Sequence, residues 1–321
     1  MVEFKGSFII SLDFELFWGV RDVLSKEEYG LNILGARKAI PLMIALFEKY
    51  GVHVTFATVG LLFCKSKEEI EKYSPALKPA YTNKKLSPYL DNYIDRLSDI
   101  ADPYHSAEEL IGLVKKSPNI EIGSHTFSHY YCWEEGQSID EFQEDIKAAV
   151  KIAEDNGVTL KSIIFPRNQV DENYLKVCSK FGFTNYRGNP SSFFNKNGGI
   201  KDKIMRFIDA YINISGDSCF DYDDITGKIL YNIKASRFLR PYNSKFAFLD
   251  SLKLKRIKGE MTAAAQQNKI YHLWWHPHNF GSHQKQNLEM LEDILKHYQM
   301  LMEKYRLESY TMSELTNLFI K

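Results

Sequence analysis

Short apolar runs that stop at an acidic residue or a histidine recur along this chain, with helical patterns between them. That alternation constrains the fold more than any other feature. Phe8–Leu12 ends at Asp13, as a buried parallel strand would. Lys38–Tyr50 places Ile40, Met43, Ile44 and Phe47 on one helical face and stops at Gly51. Val52–Thr58, rich in β-branched and aromatic residues, reads as a second strand, so the chain opens βαβ. Ile120–Gly123, Ser162–Phe165, Gly182–Tyr186, Ile270–Trp274 and Tyr310–Met312 continue the strand series. Helical patterns over Ser106–Lys116, Ser138–Asn156, Asp171–Ser179 and Asn287–Tyr305 separate them, with Ser106, Ser138 and, for a short terminal helix, Ser313 as caps. Roughly seven strands alternating with helices predict an α/β fold, a closed or nearly closed (β/α)7 barrel rather than an open doubly wound sheet. A G-x-G-x-x-G phosphate loop is absent, which argues against dinucleotide binding.

Two stretches break the rhythm. Residues 61–105 hold short helical pieces between Pro75, Pro79, Pro88 and Pro103, and read as an insertion forming a lid or rim over the strand ends. Residues 189–268 form a second insertion, with a helix over Lys201–Tyr211, the acidic stretch Asp221–Asp224, and a helical segment from Ser244 to Gln267 interrupted at Gly259. The expected organisation is one catalytic domain over residues 1–321 carrying both insertions. Lys plus Arg equals Asp plus Glu at 41 each, so no global basic field points to nucleic acid. The apolar run near the N-terminus is too short for a signal peptide, and no stretch reads as an integral membrane segment. The four cysteines form no C-x-x-C pair. A cytoplasmic location is the expectation.

Three strand ends far apart in sequence carry polar groups: Asp13 with Glu15, His125 with His129, and His276 with His278. In a barrel such ends converge on one face. His125 and His129 are four residues apart, so one helical turn after the strand would put both rings on one side. Two imidazoles and one carboxylate make a divalent-metal set with positions left open for water and substrate. In a regular strand Asp13 and Glu15 would point the same way. One is needed on the metal and the other to take a proton from attacking water, and the residues themselves leave that assignment open. Either His276 or His278 can protonate a leaving amine. Trp274 and Trp275 alternate faces, so at most one meets substrate, and Trp275 is the candidate. Arg167, directly after Pro166, can orient a catalytic carboxylate through a bidentate pair. Asn168 and Asn279 are candidates for contacts to substrate hydroxyls. Cys132 has no adjacent base and is not read as a nucleophile.

These residues resemble the polysaccharide deacetylase family, the NodB-homology group related to carbohydrate esterase family 4. Ser11-Leu12-Asp13-Phe14-Glu15 resembles its first motif, an acidic pair closing strand one, and His125-Thr126-Phe127-Ser128-His129 matches its H-[ST]-x-x-H frame. Gly35-Ala36-Arg37 and Val54-Thr55-Phe56-Ala57-Thr58-Val59-Gly60 resemble its lead-in blocks. Phe165-Pro166-Arg167-Asn168 resembles its arginine motif, and Tyr271-His272-Leu273-Trp274-Trp275-His276 its terminal histidine motif. The resemblance implies a distorted, often incomplete (β/α)7 barrel that hydrolyses N-acetyl or related amides on sugars, usually with zinc, and with Co2+, Ni2+ or Fe2+ as other divalent choices. On this chain it implies Asp13 as general base, Glu15 with His125 and His129 as metal ligands, His276 as general acid with His278 in reserve, and Arg167 tuning the base. Three departures stand out. Asp-x-Glu replaces the adjacent Asp-Asp pair, Arg167 follows its proline in a rearranged motif, and no acidic-tryptophan segment is recognisable near residues 183–215. The expected partner is a sugar-containing substrate, with a cytoplasmic glycan precursor preferred to a mature polymer. The rival readings are an amidase for a non-sugar amide and a catalytically silent carbohydrate-binding or scaffold protein.

Overall fold

The structure, a computed structural model, describes residues 4–90, 92–97, 102–190, 200–225 and 227–320. Among the described residues, nine strands build one sheet: β1 Ser7–Phe14, β2 Val54–Thr58, β3 Ile120–Ser124, β4 Ser162–Ile163, β5 Asn185–Tyr186, β6 Tyr231–Asn232, β7 Arg237–Phe238, β8 Ile270–Trp275 and β9 Glu308–Tyr310. Their order is β6-β5-β4-β3-β2-β1-β8-β7, with every pairing parallel. β9 pairs with the start of β1, Ser7 to Ile9, while β2 takes Ile10 to Phe14 on the remainder of that strand. The register brings Asp13 beside Ala57, Thr58 beside Ser124, and Leu12 beside Trp275, so the C-terminal ends of β1, β2, β3 and β8 form one rim.

The α/β barrel expected from the rhythm is the fold observed, distorted and incomplete as the resemblance implies. Residues 189–268 are a correction, because they are not wholly an insertion: β6 and β7 lie within them. The four residues between these strands cross from one side of the sheet to the other. Ile233 N–H donates to the Tyr186 carbonyl and Ala235 N–H to that of Gly188, beside β5, whereas Ser236 N–H donates to His272 and Leu239 N–H to Trp274, on β8. A single kinked segment thus closes the wall, in place of a paired strand. Two-residue strands have no hydrophobic period, which is why the sequence pattern does not display them. The centre of the turn that follows Tyr186, residues 191–199, lies outside the described residues.

Helices α1 Lys26–Tyr50, α2 Lys67–Tyr73, α3 Glu108–Lys116, α4 Ile139–Asp155, α5 Glu172–Lys180, α6 Ile200–Asp209, α7 Asp250–Gln267, α8 Gln284–Tyr305 and α9 Met312–Asn317 accompany the sheet. α1 starts at Lys26 rather than Lys38, because Ser25 and Glu28 form a reciprocal capping box. It is long and apolar enough to cross a membrane by length and composition, but its apolar face, including Ile33, Ile40, Met43 and Phe47, is buried in the protein. Gly30 and Gly35 do not break it. A Cβ on Gly35 would overlap the Gly281 carbonyl, so helix and turn meet backbone to backbone directly behind the β8 strand end. Three further local expectations shift. α3 begins at Glu108 with Ala107 rather than Ser106 at its cap. Thr311, not Ser313, caps α9, in a box with Glu314. α7 runs unbroken through Gly259. The first insertion is tied to the rim loops: Trp18 Nε1 donates to the His105 carbonyl, and Thr82 N–H to that of Glu135.

Candidate active site

β1 delivers Asp13 and, one residue beyond its end, Glu15; both are buried. Arg187, just past β5, clamps Asp13 with two donors, Nη1 to Oδ1 at 2.6 Å and Nη2 to Oδ2 at 2.8 Å. Burial alone would raise the Asp13 carboxyl, but Arg187, with His125 and His276, more than offsets it and holds the group below its usual value. A chain of buried partners fixes Arg187 from beneath. His272 Nδ1 donates to the Lys234 carbonyl, leaving Nε2 to accept from Ser11 Oγ at 2.8 Å, and Ser11 Oγ accepts from Arg187 Nη1 at 3.1 Å. Burial pushes the His272 imidazole down to about 3, so it stays neutral and keeps these directions.

His125 and His129 lie on a loop rather than on the helical turn that their spacing suggested. Thr126 and His129 both adopt left-handed backbone, with φ of 63° and 59°. Such a conformation costs roughly 1–2 kcal/mol for a residue with a Cβ, so the surroundings must impose it. Asp145 of α4 does so by accepting hydrogen bonds from Phe127 N–H, Ser128 N–H and Ser128 Oγ. Thr126 Oγ1 accepts from Tyr130 N–H at 2.7 Å. The resulting loop aims both Nε2 atoms at one carboxylate oxygen: Glu15 Oε2 is 3.0 Å from His129 Nε2 and 3.3 Å from His125 Nε2. A Cβ on Gly19 would collide with the Glu15 carboxylate, so the bare glycine makes room for it.

This donor set fits a divalent metal. Ligands about 2.0–2.1 Å from a tetrahedral ion lie roughly 3.3 Å apart, close to the 3.3 and 3.0 Å from Glu15 Oε2 to the two imidazole nitrogens, and all three ligand atoms lie within 4.8 Å of one another. His125 Nδ1 donates to the Ile164 carbonyl at 2.9 Å, which fixes the tautomer and leaves Nε2 as the free lone pair. Burial lowers the His129 imidazole, with Glu15 opposing, which favours its neutral, ligating form. Glu15 would itself be raised by burial, but His276, His125 and His129 hold it well below its usual value.

His276 Nε2 lies 3.7 Å from both Asp13 Oδ2 and Glu15 Oε1 and keeps a quarter of its side chain exposed. His278 stacks on it, is 5% exposed, and sits 3.8 Å from Glu15 Oε1. Burial, with His276 alongside, pushes His278 down to about 3.

Two expectations are corrected here. Arg167 does not reach Asp13; it pairs with Asp22 and Glu134 and covers the Tyr131 ring, because its strand end points it across the rim. Trp275 faces away from the opening, fully buried against Phe47 and Phe280. Trp274 is the site-facing tryptophan, with the Arg187 guanidinium 4.1 Å above its ring. Asn168 lies in the site, its Oδ1 accepting from Arg187 Nη2 at 3.0 Å. Asn279 serves the backbone, accepting from His276 N–H and donating to Tyr29. The sequence reading missed Arg187 and Asp145. The available signal was a lone arginine directly after a short strand, and a carboxylate placed among apolar residues on the inner face of a helix.

Fold and site together define an α/β-barrel protein whose rim carries two histidines and one carboxylate that could hold a metal. Residues 34–186, just under half of the chain, match the sequence model of the polysaccharide deacetylase family, so the resemblance read from the motifs is shown over this stretch. The match contains His125 and His129; Asp13, Glu15, Arg187 and His276 lie outside it and join them through the fold. A comparison with curated proteins finds no match. Among solved structures, a Mycobacterium smegmatis protein named as a polysaccharide deacetylase is similar, with TM-score 0.62 and 11% identity over 99% of this chain and 91% of the other. A Pseudomonas aeruginosa PAO1 protein named likewise gives TM-score 0.54 and 11% identity over 97% and 89%. The Puue allantoinase gives TM-score 0.52 and 11% identity over 97% and 88%. At such identities the likeness is one of fold, and substrate must be argued from the site.

Proposed function

We propose that this protein is a metal-dependent hydrolase that removes an N-acetyl or related acyl group from an amino sugar. The observation that carries this reading is the division of two adjacent carboxylates. Asp13 is clamped by Arg187, while Glu15 lies between His125 and His129, and His276 is 3.7 Å from both acids. Glu15, His125 and His129 would hold the ion, with zinc the expected choice. When bound, it would polarise the amide carbonyl and ease deprotonation of water. Arg187 keeps Asp13 ionised, ready to accept the proton of the attacking water. His276, exposed to the opening, gives a proton to the departing amine. Its contact with Asp13 lets the proton gained by one group replace that lost by the other. His278, buried and neutral, supports the His276 ring by stacking.

Asp13→Asn tests the assignment. Metal content should stay at the native level while turnover on acetamido sugars falls on the order of 10^2-fold or more. Native turnover in this variant would sink the role given to Asp13. A screen of acetamido sugars against non-sugar amides tests the substrate class, and hydrolysis confined to the latter would favour the amidase reading.

A further inference from the structure

The first insertion builds a second cavity that amide hydrolysis alone leaves unused. It has a volume of about 540 Å3 and lies between the chain that follows Glu15 and residues 84–90 and 93–97. Its floor is apolar, including Phe17, Leu24 and Leu97, and its wall carries Arg21, Lys84, Lys85 and Arg96. Lys26 also lines it but is paired with Asp102 at 2.6 Å. The one carboxylate among the described lining residues is Asp22, and it is engaged elsewhere: it accepts from Tyr131 and pairs with Arg167. Lys84 and Lys85 are exposed and have no acidic partner among the described residues. Arg21 has none either. Its Nη atoms donate to the carbonyls of Lys85 and Leu86, its guanidinium covers Tyr93 at 5.2 Å, and its Nε is buried without a hydrogen-bond partner.

Clustered cations over an apolar floor suit a multiply charged oxyanion joined to an apolar group. A neutral polysaccharide has no group to place there. Position links this cavity to the reaction. The Asp22–Arg167 pair is a partition, since Arg167 lines a neighbouring cavity with Asn168 and Trp274, both of which touch Arg187. Tyr131 ties the same Asp22 to His129, its hydroxyl 3.3 Å from one and 3.0 Å from the other.

We propose that the amino sugar hydrolysed here carries a phosphate or diphosphate group, and that Lys84 and Lys85, backed by the charge of Arg21, bind that group in this cavity. The proposal takes its amide half from the hydrolase reading above; its anion half stands on the cavity. A nucleotide-linked and a lipid-linked sugar share this chemistry.

The test uses the full chain loaded with zinc. Calorimetry with uridine diphosphate and with geranyl diphosphate reads the anion site and separates the two sources, and KM for UDP-N-acetylglucosamine against tetra-N-acetylchitotetraose reads its use. Binding of one diphosphate should weaken with added salt and fall about tenfold or more in Lys84→Glu/Lys85→Glu, with Lys84→Ala/Lys85→Ala as the milder variant. KM for a diphosphate-linked substrate should rise in step, while that for the neutral oligosaccharide stays unchanged. No binding of either probe, or equal binding by native protein and both variants, overturns the proposal. Lysine-dependent diphosphate binding without hydrolysis of any sugar amide keeps the anion site and removes the hydrolase reading. Hydrolysis of neutral oligosaccharide without diphosphate binding does the reverse.

Discussion

Arg187 and Asp13 form a buried pair with neither side chain more than 4% exposed. Removing one partner from such a pair leaves the other charge stranded. Arg187→Ala should therefore lose about 3–5 kcal/mol of stability in urea denaturation, and Arg187→Lys should recover part of it by restoring charge without the planar fork. An alanine variant as stable as the native protein would contradict the pairing. Asp145 makes a second residue-scale prediction. Burial pushes its carboxyl up to about 6, its hydrogen bonds from Ser128 and Phe127 opposing only in part. An unfolded aspartate titrates near 3.9, so the folded state holds the proton longer, and the contribution of Asp145 is largest at low pH and is lost as pH rises through about 6. Melting temperatures of native protein and Asp145→Asn should show native gaining on the variant from pH 7 to pH 5. A gap that widens toward pH 7 would mean the three donors keep the group ionised. Both residues escaped the sequence reading for one reason: their partners are remote in the chain, 174 residues away for Arg187 and 17 or 18 for Asp145. The histidine pair was legible because its spacing is local.

Among the elements, α1 lies backbone to backbone on the turn that presents His276 and His278. Gly35→Ala should destabilise by about 1–3 kcal/mol through overpacking, and should lower turnover because the displaced turn carries His276. Gly112→Ala, in α3, is the matched control: nothing lies near its added methyl, so the helix should gain roughly 0.5–1 kcal/mol. Thermal denaturation of the two variants reads the contrast, and similar losses in both would refute the close approach. Elements with their own caps were legible, as with Ser138 and Glu141 at the start of α4. β6 and β7 were not, since their extended form depends on neighbours that the local sequence does not contain. The missed first half of α1 belongs to the same lesson: Gly30 packs against Tyr104 and Gly35 against Gly281, contacts that the local sequence does not contain.

For the whole molecule, the metal set couples loading to stability. Glu15 after β1 and the histidine pair after β3 come together only in the folded chain, so an ion that binds the folded state alone should stabilise it by about 2.7 kcal/mol at a hundredfold excess over its Kd. Chelation should lower the melting temperature, zinc should restore it, and Glu15→Ala should show no zinc-dependent shift. A zinc shift of native size in that variant would place the ion elsewhere. The wall closed by residues 233–236 has a different bearing. The Lys234 carbonyl in that crossing accepts from His272, the first link of the chain that runs through Ser11 to Arg187 and Asp13. The segment that shuts the barrel is thus also the footing on which Asp13 rests, and the loops on either side of it can change length only where that footing is kept.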